Sequence, residues 1–188
     1  MTCDFIALAN EGIQGLQPYQ AGKPIEELER ELGLSDVVKL ASNENPLGPP
    51  ASALAAYQAA AKQLHLYPDA GGFALKDALS NVLGVEAGQL TRGNGSNDVL
   101  DLLGRVFLDS DSSAVFSQYA FVVYPIAVQA AGARAIVTPA KDWGNDLDAM
   151  AAAIEDSTRL VFIANPNNPT GTWLSESALR SFMARVPE

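Results

Sequence analysis

The residues with the clearest chemical character form a loop at positions 165–171, with the sequence Asn-Pro-Asn-Asn-Pro-Thr-Gly. The loop follows the apolar run Leu160–Ile163, which is typical of a buried strand. Its prolines fix φ and remove backbone donors, and Gly171 permits a turn that other residues resist. The asparagines present donors and acceptors at the carboxyl end of that strand, where open α/β sheets bind ligands. The pattern indicates a site for a polar, planar ligand; an ordinary Asn/Pro turn is the alternative interpretation.

A second candidate site is the glycine-rich turn Gly93–Asp98, which follows a predicted strand at Leu90–Gly93 and precedes a helical run. Ser96 or Asn97 is suited to cap that helix, and Asp98 suits the positive end of its dipole. Helix-start amides exposed by glycines form a cradle for a phosphate, although a plain capped helix has the same pattern. Asp98 in place of a third glycine excludes the dinucleotide fingerprint, and no Gly-Lys-Ser/Thr follows, which excludes a Walker loop.

These two sites must be positioned by strands and helices that alternate from Leu90 onward. The predicted strands are Val37–Leu40, Leu90–Gly93, Ala114–Ser117, Ala135–Thr138 and Leu160–Ala164. The predicted helices are Pro24–Leu32 with Gly33 as its stop, Ala51–Leu64, Phe73–Leu83, Asn97–Leu108, Phe121–Ala131, Leu147–Ile154, and one capped by Ser175. The alternation predicts an α/β fold, with a mostly parallel sheet flanked by helices and joined by right-handed crossovers.

Composition and charge limit the class of protein. With 188 residues, 48% hydrophobic content and 18% charged residues, the sequence is typical of a soluble globular protein with a sizeable core. No apolar run reaches the roughly 18 residues of a membrane span. The N-terminal sequence is acidic where a signal peptide would be basic, which argues against a signal peptide. The net charge of −10 has the opposite sign to that of most nucleic-acid-binding proteins. We therefore expect a cytoplasmic protein that binds neither membrane nor nucleic acid.

Cysteine and histidine, which often carry chemistry, are nearly absent. The single cysteine, Cys3, allows neither an internal disulfide nor a cysteine metal cluster, which fits a reducing compartment. The single histidine, His65, lies in a helix-like run where a structural or surface role is favoured over catalysis. No metal site is predicted.

Seven motifs cover nearly the whole chain: Leu16–Tyr19, Gly22–Leu28, Lys39–Pro49, Tyr67–Asp69, Gly93–Asp98, Tyr119–Pro125 and Asn165–Gly171. In residues and in order they resemble the motifs of the histidinol-phosphate aminotransferases. The Asn-Asn-Pro-Thr-Gly element is typical of all fold-type I pyridoxal-phosphate aminotransferases, whereas the Asn-Glu-Asn-Pro loop with the Pro-Tyr arm is typical of the histidinol-phosphate branch. The resemblance implies an arm and part of the small domain at 1–65, then an incomplete cofactor-binding large domain at 66–188.

The resemblance also implies roles for residues around the cofactor, pyridoxal 5′-phosphate. The backbone amides of Gly95, Ser96 and Asn97 would hold its phosphate. Phe121 would stack on the pyridine ring, and Asn168 would hydrogen-bond the ring's phenolic oxygen. Because Tyr124 lies three residues after Phe121, core packing is the alternative interpretation for this aromatic pair.

Three further residues carry roles by resemblance. Tyr67 would reach across a homodimer interface to the neighbouring subunit's phosphate, with a buried packing role as the alternative. Tyr19 and the backbone near Asn43 would contact the substrate. The expected small molecules are an amino donor and a 2-oxo acid.

Transamination also needs a lysine that forms a Schiff base with the cofactor. In this family the lysine, the carboxylate beneath the pyridine nitrogen and the substrate-binding arginine lie beyond the Asn-Pro-Thr-Gly loop. None of the five lysines here, all of which precede that loop, has a matching context. We therefore expect the N-terminal portion of a longer enzyme, inactive and poorly soluble by itself, with no catalytic residue of its own.

The sequence leaves three functions open. The first is transfer of an amino group between L-histidinol phosphate and 2-oxoglutarate, within histidine biosynthesis. The second keeps the cofactor but acts on an aromatic amino acid or a phosphothreonine-type substrate. The third is a catalytically inactive α/β binding module.

Overall fold

The computed structural model describes residues 4–187, and its contacts divide the chain into two compact units. One unit comprises the residues up to Tyr19 together with those from Arg92 onward, and the other comprises Gln20–Thr91. The predicted domain boundary at residue 65 stays a prediction.

The unit Gln20–Thr91 is helical. Its α-helices are α1 (Ile25–Leu32), α2 (Ala51–Ala60) and α3 (Phe73–Leu83), with short 3-10 helices at Ala61–Gln63 and Ala87–Gln89. α3 has the predicted bounds, and α1 ends as predicted at Gly33, which adopts a left-handed conformation with φ 63°. The predicted strand Val37–Leu40 is wrong: Val38 and Leu40 are largely exposed, and no neighbouring strand pairs with them.

The other unit contains the sheet. Its helices are α4 (Ser96–Phe107), α5 (Val123–Ala130), α6 (Leu147–Ala152) and α7 (Glu176–Met183). Its strands are β1 (Ser113–Ser117), β2 (Arg134–Thr138), β3 (Ala140–Lys141), β4 (Gly144–Asn145) and β5 (Thr158–Val161). β1, β2 and β5 form a parallel sheet in the order β2-β1-β5, and β3 pairs with β4 in an antiparallel hairpin. The predicted α/β class is confirmed.

The central strand β1 is buried along its whole length because helices cover both faces of the sheet. On one face Phe116 packs in a core cluster with Tyr124 and Val128 of α5. On the other face Val115 packs with Met150 of α6 and Phe182 of α7. The alternation of side chains along β1 therefore divides the core into two clusters, one on each side.

Three predicted elements differ from the structure in ways that bear on the candidate site. The strand Leu90–Gly93 is absent, because Leu90 ends a 3-10 helix and the residues after it have no sheet partner. β5 ends at Val161 instead of continuing to residue 164, although the amide of Phe162 still donates to the Val115 carbonyl at 2.9 Å. α5 begins at Val123, since Phe121 belongs to the turn that precedes it. The predicted strand is thus absent in the first case, and the strand or helix is shorter than predicted in the other two.

The N-terminal segment of this unit lies against the end of α5. A Cβ at Gly12 would stand 2.2 Å from the carbonyl oxygen of Gln129, so only glycine allows this approach. Tyr19, the last residue of the segment, is 49% exposed.

Candidate functional site

Three segments with the predicted site residues meet at one edge of the sheet. β1 and β5 are parallel, so the residues that follow them, Gln118–Phe121 and 162–171, emerge at the same carboxyl edge. α4 ends shortly before the start of β1, and its twelve residues span about 18 Å, roughly the length of the strand. Leu100, near the start of α4, packs against the cluster that contains Phe162. The beginning of α4 therefore lies at the same edge as the two loops.

The turn into α4 is formed by the backbone of Gly95. This residue has φ 86° and ψ 172°, a conformation that is essentially restricted to glycine. The prediction that Ser96 or Asn97 caps the helix is wrong: Gly95 is the cap residue, and no side chain caps the helix. Instead, Asp98 in the first turn accepts a hydrogen bond from the Asn94 amide at 3.0 Å, which closes the turn from within the helix.

The amides that this turn exposes have no acceptor in the described part of the chain. Ser96 and Asn97 are exposed, and their N–H groups form no hydrogen bond with residues 4–187. Helix starts leave such donors unpaired, and together with the dipole they favour an anion. This arrangement suits a phosphate.

The aromatic residues after β1 divide between core and site. Tyr124 is buried, and its ring stacks on Phe162 at 4.7 Å with an interplanar angle of 14°. Phe121 is half-buried and meets Tyr124 edge to face at 5.9 Å and 89°. Burial raises the pKa of the Tyr124 phenol, which keeps this side chain neutral. Tyr124 is thus a core residue, while Phe121 lies at the boundary between that core and the edge of the sheet.

The loop after β5 is held by its own hydrogen bonds. The amide of Asn167 donates to the Thr172 carbonyl at 2.7 Å, and the amide of Gly171 donates to the Asn167 carbonyl at 2.8 Å. Gly171 has φ 73°, as its predicted turn role requires. Asn168 is half-buried, and its carboxamide forms no hydrogen bond with any described residue. The loop therefore fixes the backbone of Asn168 while its side chain stays available to a ligand.

Asn167 is a polar residue of this loop whose importance the sequence did not reveal. It is 5% exposed, and its side-chain nitrogen donates to the Tyr119 carbonyl at 3.0 Å and to the Thr170 hydroxyl at 2.7 Å. Its side-chain oxygen is buried and has no partner among the described residues. The sequence feature that could have indicated this role is the pair of adjacent asparagines. One of them, Asn167, is buried, and the other, Asn168, is available to a ligand.

The β3–β4 hairpin, which the sequence also did not reveal, lies against the same loop. The side chain of Asn145 donates to the Ala164 carbonyl at 3.3 Å. Gly144 passes close to Thr172, whose hydroxyl would stand 3.0 Å from a Cβ at that position. At the tip of the hairpin, the ring centroids of Trp143 and Tyr119 are 5.0 Å apart. The hairpin therefore contacts both segments that emerge at the carboxyl edge of the sheet.

The remaining predicted residues belong to other segments of the chain. Asn43, Tyr67 and His65 belong to the unit Gln20–Thr91, and all three are exposed. Tyr67 is fully exposed, so the alternative of a buried packing role is wrong. Tyr19 is in the same unit as the candidate site, and its substrate role stays a prediction. Cys3 lies outside the described residues.

Residues 4–187 contain neither clusters of metal ligands nor helices that could span a membrane. No cluster of three or more His, Cys, Asp or Glu side chains in this range is placed to hold a metal ion. None of the helices described combines the length and the apolar character that crossing a membrane requires.

A comparison with known protein families assigns the chain to a class. The family described as aminotransferase class I and II matches residues 35–188, and the chain belongs to this family. The two site loops and α4 all lie within the matched region.

Individual relatives match this chain along nearly its whole length but are about twice as long. The chain is 57% identical, over 100% of its length and 51% of the relative's, to histidinol-phosphate aminotransferase 2 of Pseudomonas fluorescens strain Pf0-1. It is 54% identical, over 97% of its length and 50% of the relative's, to histidinol-phosphate aminotransferase 1 of Mannheimia succiniciproducens. The chain thus spans about half the length of the curated relatives it matches.

Solved structures agree with this assignment. The histidinol-phosphate aminotransferase of Sinorhizobium meliloti, solved in complex with pyridoxal 5′-phosphate, superimposes with a TM-score of 0.84 at 29% identity. The match covers 94% of this chain and 47% of that one. The aspartate aminotransferase of Rhizobium meliloti, at 17% identity and a TM-score of 0.69, shares the fold.

Proposed function

We propose that the chain is part of a pyridoxal-phosphate-dependent enzyme that transfers an amino group between L-histidinol phosphate and 2-oxoglutarate. The observation that carries this proposal is the 57% identity to a histidinol-phosphate aminotransferase along the whole chain. The arrangement at the sheet edge supports it, since unpaired helix-start amides, a half-buried phenylalanine and an available carboxamide fit the phosphate, ring and phenolic oxygen of this cofactor.

Five residues would hold the cofactor of their own subunit, and Tyr67 would contact that of a second subunit. The backbone amides of Gly95, Ser96 and Asn97 would bind the phosphate, whose charge the helix dipole favours. Phe121 would cover one face of the pyridine ring and exclude water from it, and the carboxamide of Asn168 would donate to the ring oxygen. When bound, pyridoxal phosphate supplies the electron sink that transamination requires.

The substrate side of the site is proposed from the resemblance of the motifs. Tyr19 and the backbone near Asn43 would contact the amino donor or the 2-oxo acid. Tyr67, which is fully exposed here, would reach the cofactor phosphate of a second subunit in a homodimer. We propose a cytoplasmic location, consistent with an enzyme that acts on small, soluble metabolites.

The test uses the full-length protein that carries this sequence. Purified protein saturated with pyridoxal phosphate should convert L-histidinol phosphate and 2-oxoglutarate into glutamate and the corresponding ketone phosphate. An aromatic amino acid and a phosphothreonine-type substrate, tested at the same concentration, should react more slowly. Preference for either would assign the related substrate class, and the absence of cofactor absorbance would indicate a non-catalytic binding module.

The 188-residue chain by itself should give no turnover. Its lysines are Lys23, Lys39, Lys62, Lys76 and Lys141, and none has the context of the cofactor lysine of this family. β5 also forms an edge of the sheet, which favours aggregation of the isolated chain. Glutamate formation by the isolated chain would contradict this expectation.

A further inference from the structure

We infer that Asn167 is a positioning residue that holds the two cofactor-binding loops in register with each other. The inference rests on the proposed function, because it assigns Asn167 the task of aligning Phe121 with Asn168. Asn167 itself is not expected to touch the cofactor.

The geometry places Asn167 between the two loops. Its side-chain nitrogen donates to the carbonyl of Tyr119, two residues before Phe121, across a sequence separation of 48 residues. Its backbone precedes Asn168 directly and is fixed by two hydrogen bonds within its own loop. The carboxamide therefore links the segment that carries the ring-stacking residue to the segment that carries the ring-oxygen donor.

The chemistry of this contact requires a donor. The Tyr119 carbonyl can only accept, and no other described residue donates to it. This fixes the orientation of the carboxamide, since rotating it by 180° would place its oxygen against the carbonyl oxygen. The same nitrogen also donates to Thr170 at 2.7 Å, so both of its hydrogens are used.

Burial makes the contact strong enough to matter. Asn167 is 5% exposed, and water cannot readily replace a lost partner at such a position. An alanine would leave the Tyr119 carbonyl unpaired, and an ionised aspartate would place negative charge against it. An aspartate that is protonated, by contrast, regains one donor of almost the same shape.

A second asparagine of the same loop, Asn165, which is exposed, provides a comparison. Asn165 uses both ends of its carboxamide, since its nitrogen donates to the Leu174 carbonyl at 3.1 Å and its oxygen accepts from the Leu174 amide at 2.8 Å. Both bonds stay within the loop and its continuation. Asn165 therefore tests the cost of losing asparagine hydrogen bonds without uncoupling the loop from Tyr119.

The experiment compares Asn167→Asp, Asn165→Ala and wild type in the full-length protein, by titrating the apo form with pyridoxal phosphate at pH 8 and pH 5.5. At pH 8 we expect Asn167→Asp to raise the cofactor Kd about tenfold and Asn165→Ala to change it less than about threefold. At pH 5.5 the ratio of Asn167→Asp to wild type should fall, because burial beside a carbonyl raises the pKa of the introduced carboxyl and its protonated form donates. Asn165→Ala should show no such pH dependence.

Three results would overturn the inference: wild-type affinity of Asn167→Asp at pH 8, an equal loss in Asn165→Ala, or a ratio that does not change with pH. If Asn167→Asp does not fold, Thr170→Val, which removes the second acceptor of the same nitrogen, should weaken cofactor binding more than Thr170→Ser. Equal affinities for these two variants would also overturn it. If wild type itself binds no pyridoxal phosphate, the proposed function fails. If wild type binds it and the Asn167 variant binds it equally well, this inference alone fails.

Discussion

The rings of Tyr119 and Trp143 lie with their centroids 5.0 Å apart and their planes at 31°. Tyr119 follows β1, and Trp143 is at the tip of the β3–β4 hairpin, so the contact joins two segments that are separate in the sequence. Asp142 and Trp143 both have positive φ, 50° and 65°, as a two-residue type I′ hairpin turn requires. A large aromatic residue thus occupies a backbone conformation that favours glycine, and the ring contact offsets this cost.

The first prediction separates the ring contact from the backbone strain at residue 143. Trp143→Ala should lower the free energy of unfolding by about 1 kcal/mol, because the ring contact is lost while the strained φ remains. Trp143→Gly loses the same ring contact but relieves the strain, and it should be more stable than the alanine variant by about 1 kcal/mol. Urea denaturation of the full-length variants measures both differences.

Trp173 provides the matched control for this pair of variants. It is exposed to a similar degree, 73% against 65% for Trp143, and it forms no ring contact with the described aromatic residues. Trp173→Ala should therefore change the unfolding free energy by less than about 0.5 kcal/mol. A loss as large as that of Trp143→Ala would show that the stack with Tyr119 contributes nothing specific.

Local signals explain what the sequence predicted correctly. The bounds of α3 and the end of α1 at Gly33 follow from helical periodicity and from glycine's left-handed conformation, both of which act within a few residues. β1 and β2 begin one residue before their predicted starts. The apolar run of β1 marks a strand that is buried throughout, whereas β2 lies at an edge of the sheet and is largely exposed. The Asn-Pro loop was identified for the same reason: its residue types restrict the backbone locally.

Long-range contacts explain what the sequence did not predict. The absent strand at Leu90–Gly93 has suitable residues but no neighbouring strand, and pairing is not encoded within the segment itself. Asn167 acquires its role only through Tyr119, which lies 48 residues away. The side-chain cap predicted at Ser96 or Asn97 is absent because Gly95 turns the chain and Asp98 already pairs with the Asn94 amide.

The second prediction concerns the carboxamide of Asn168. In the cofactor-saturated full-length protein, Asn168→Ala should lower kcat about tenfold or more, because the proposed hydrogen bond to a charged ring oxygen would be lost. The KM for 2-oxoglutarate should change less, since the proposed contact of this side chain is with the cofactor and not with the substrate. Steady-state kinetics measure both values, and an unchanged kcat would remove Asn168 from the site.

The third prediction concerns the pH dependence of stability. Arg134, at the start of β2, pairs with Glu155, which precedes β5, so the pair spans the amino ends of the strands on either side of β1. The hydrogen bond and the charge of Arg134 lower the pKa of Glu155. The stabilisation is therefore fully present above the ordinary carboxyl pKa of about 4.3, and it is lost as pH falls through the lowered value in the folded protein.

Glu155→Gln should accordingly melt at a lower temperature than wild type at pH 7, with the difference shrinking as the pH falls below about 4. Glu176→Gln is the control, because its partner Arg180 lies one turn away in the same helix and the pair joins no separate elements. Its effect should be smaller at pH 7. Calorimetry at several pH values measures these shifts, and a difference for Glu155→Gln that persists unchanged into acid would contradict the assignment.

The last prediction tests the phosphate cradle at the start of α4. Gly95 has φ 86° and ψ 172°, and a Cβ there would meet no atom within 4 Å, so Gly95→Ala introduces backbone strain without a steric clash. Relief of about 1–3 kcal/mol of strain would shift the turn and the amides of Ser96 and Asn97. The Kd for pyridoxal phosphate should rise about tenfold, while the affinity for pyridoxal, which lacks the phosphate, should change little. Gly88→Ala, also in open space but without positive φ, should leave both affinities unchanged, and an equal loss of both ligands in Gly95→Ala would place the phosphate elsewhere.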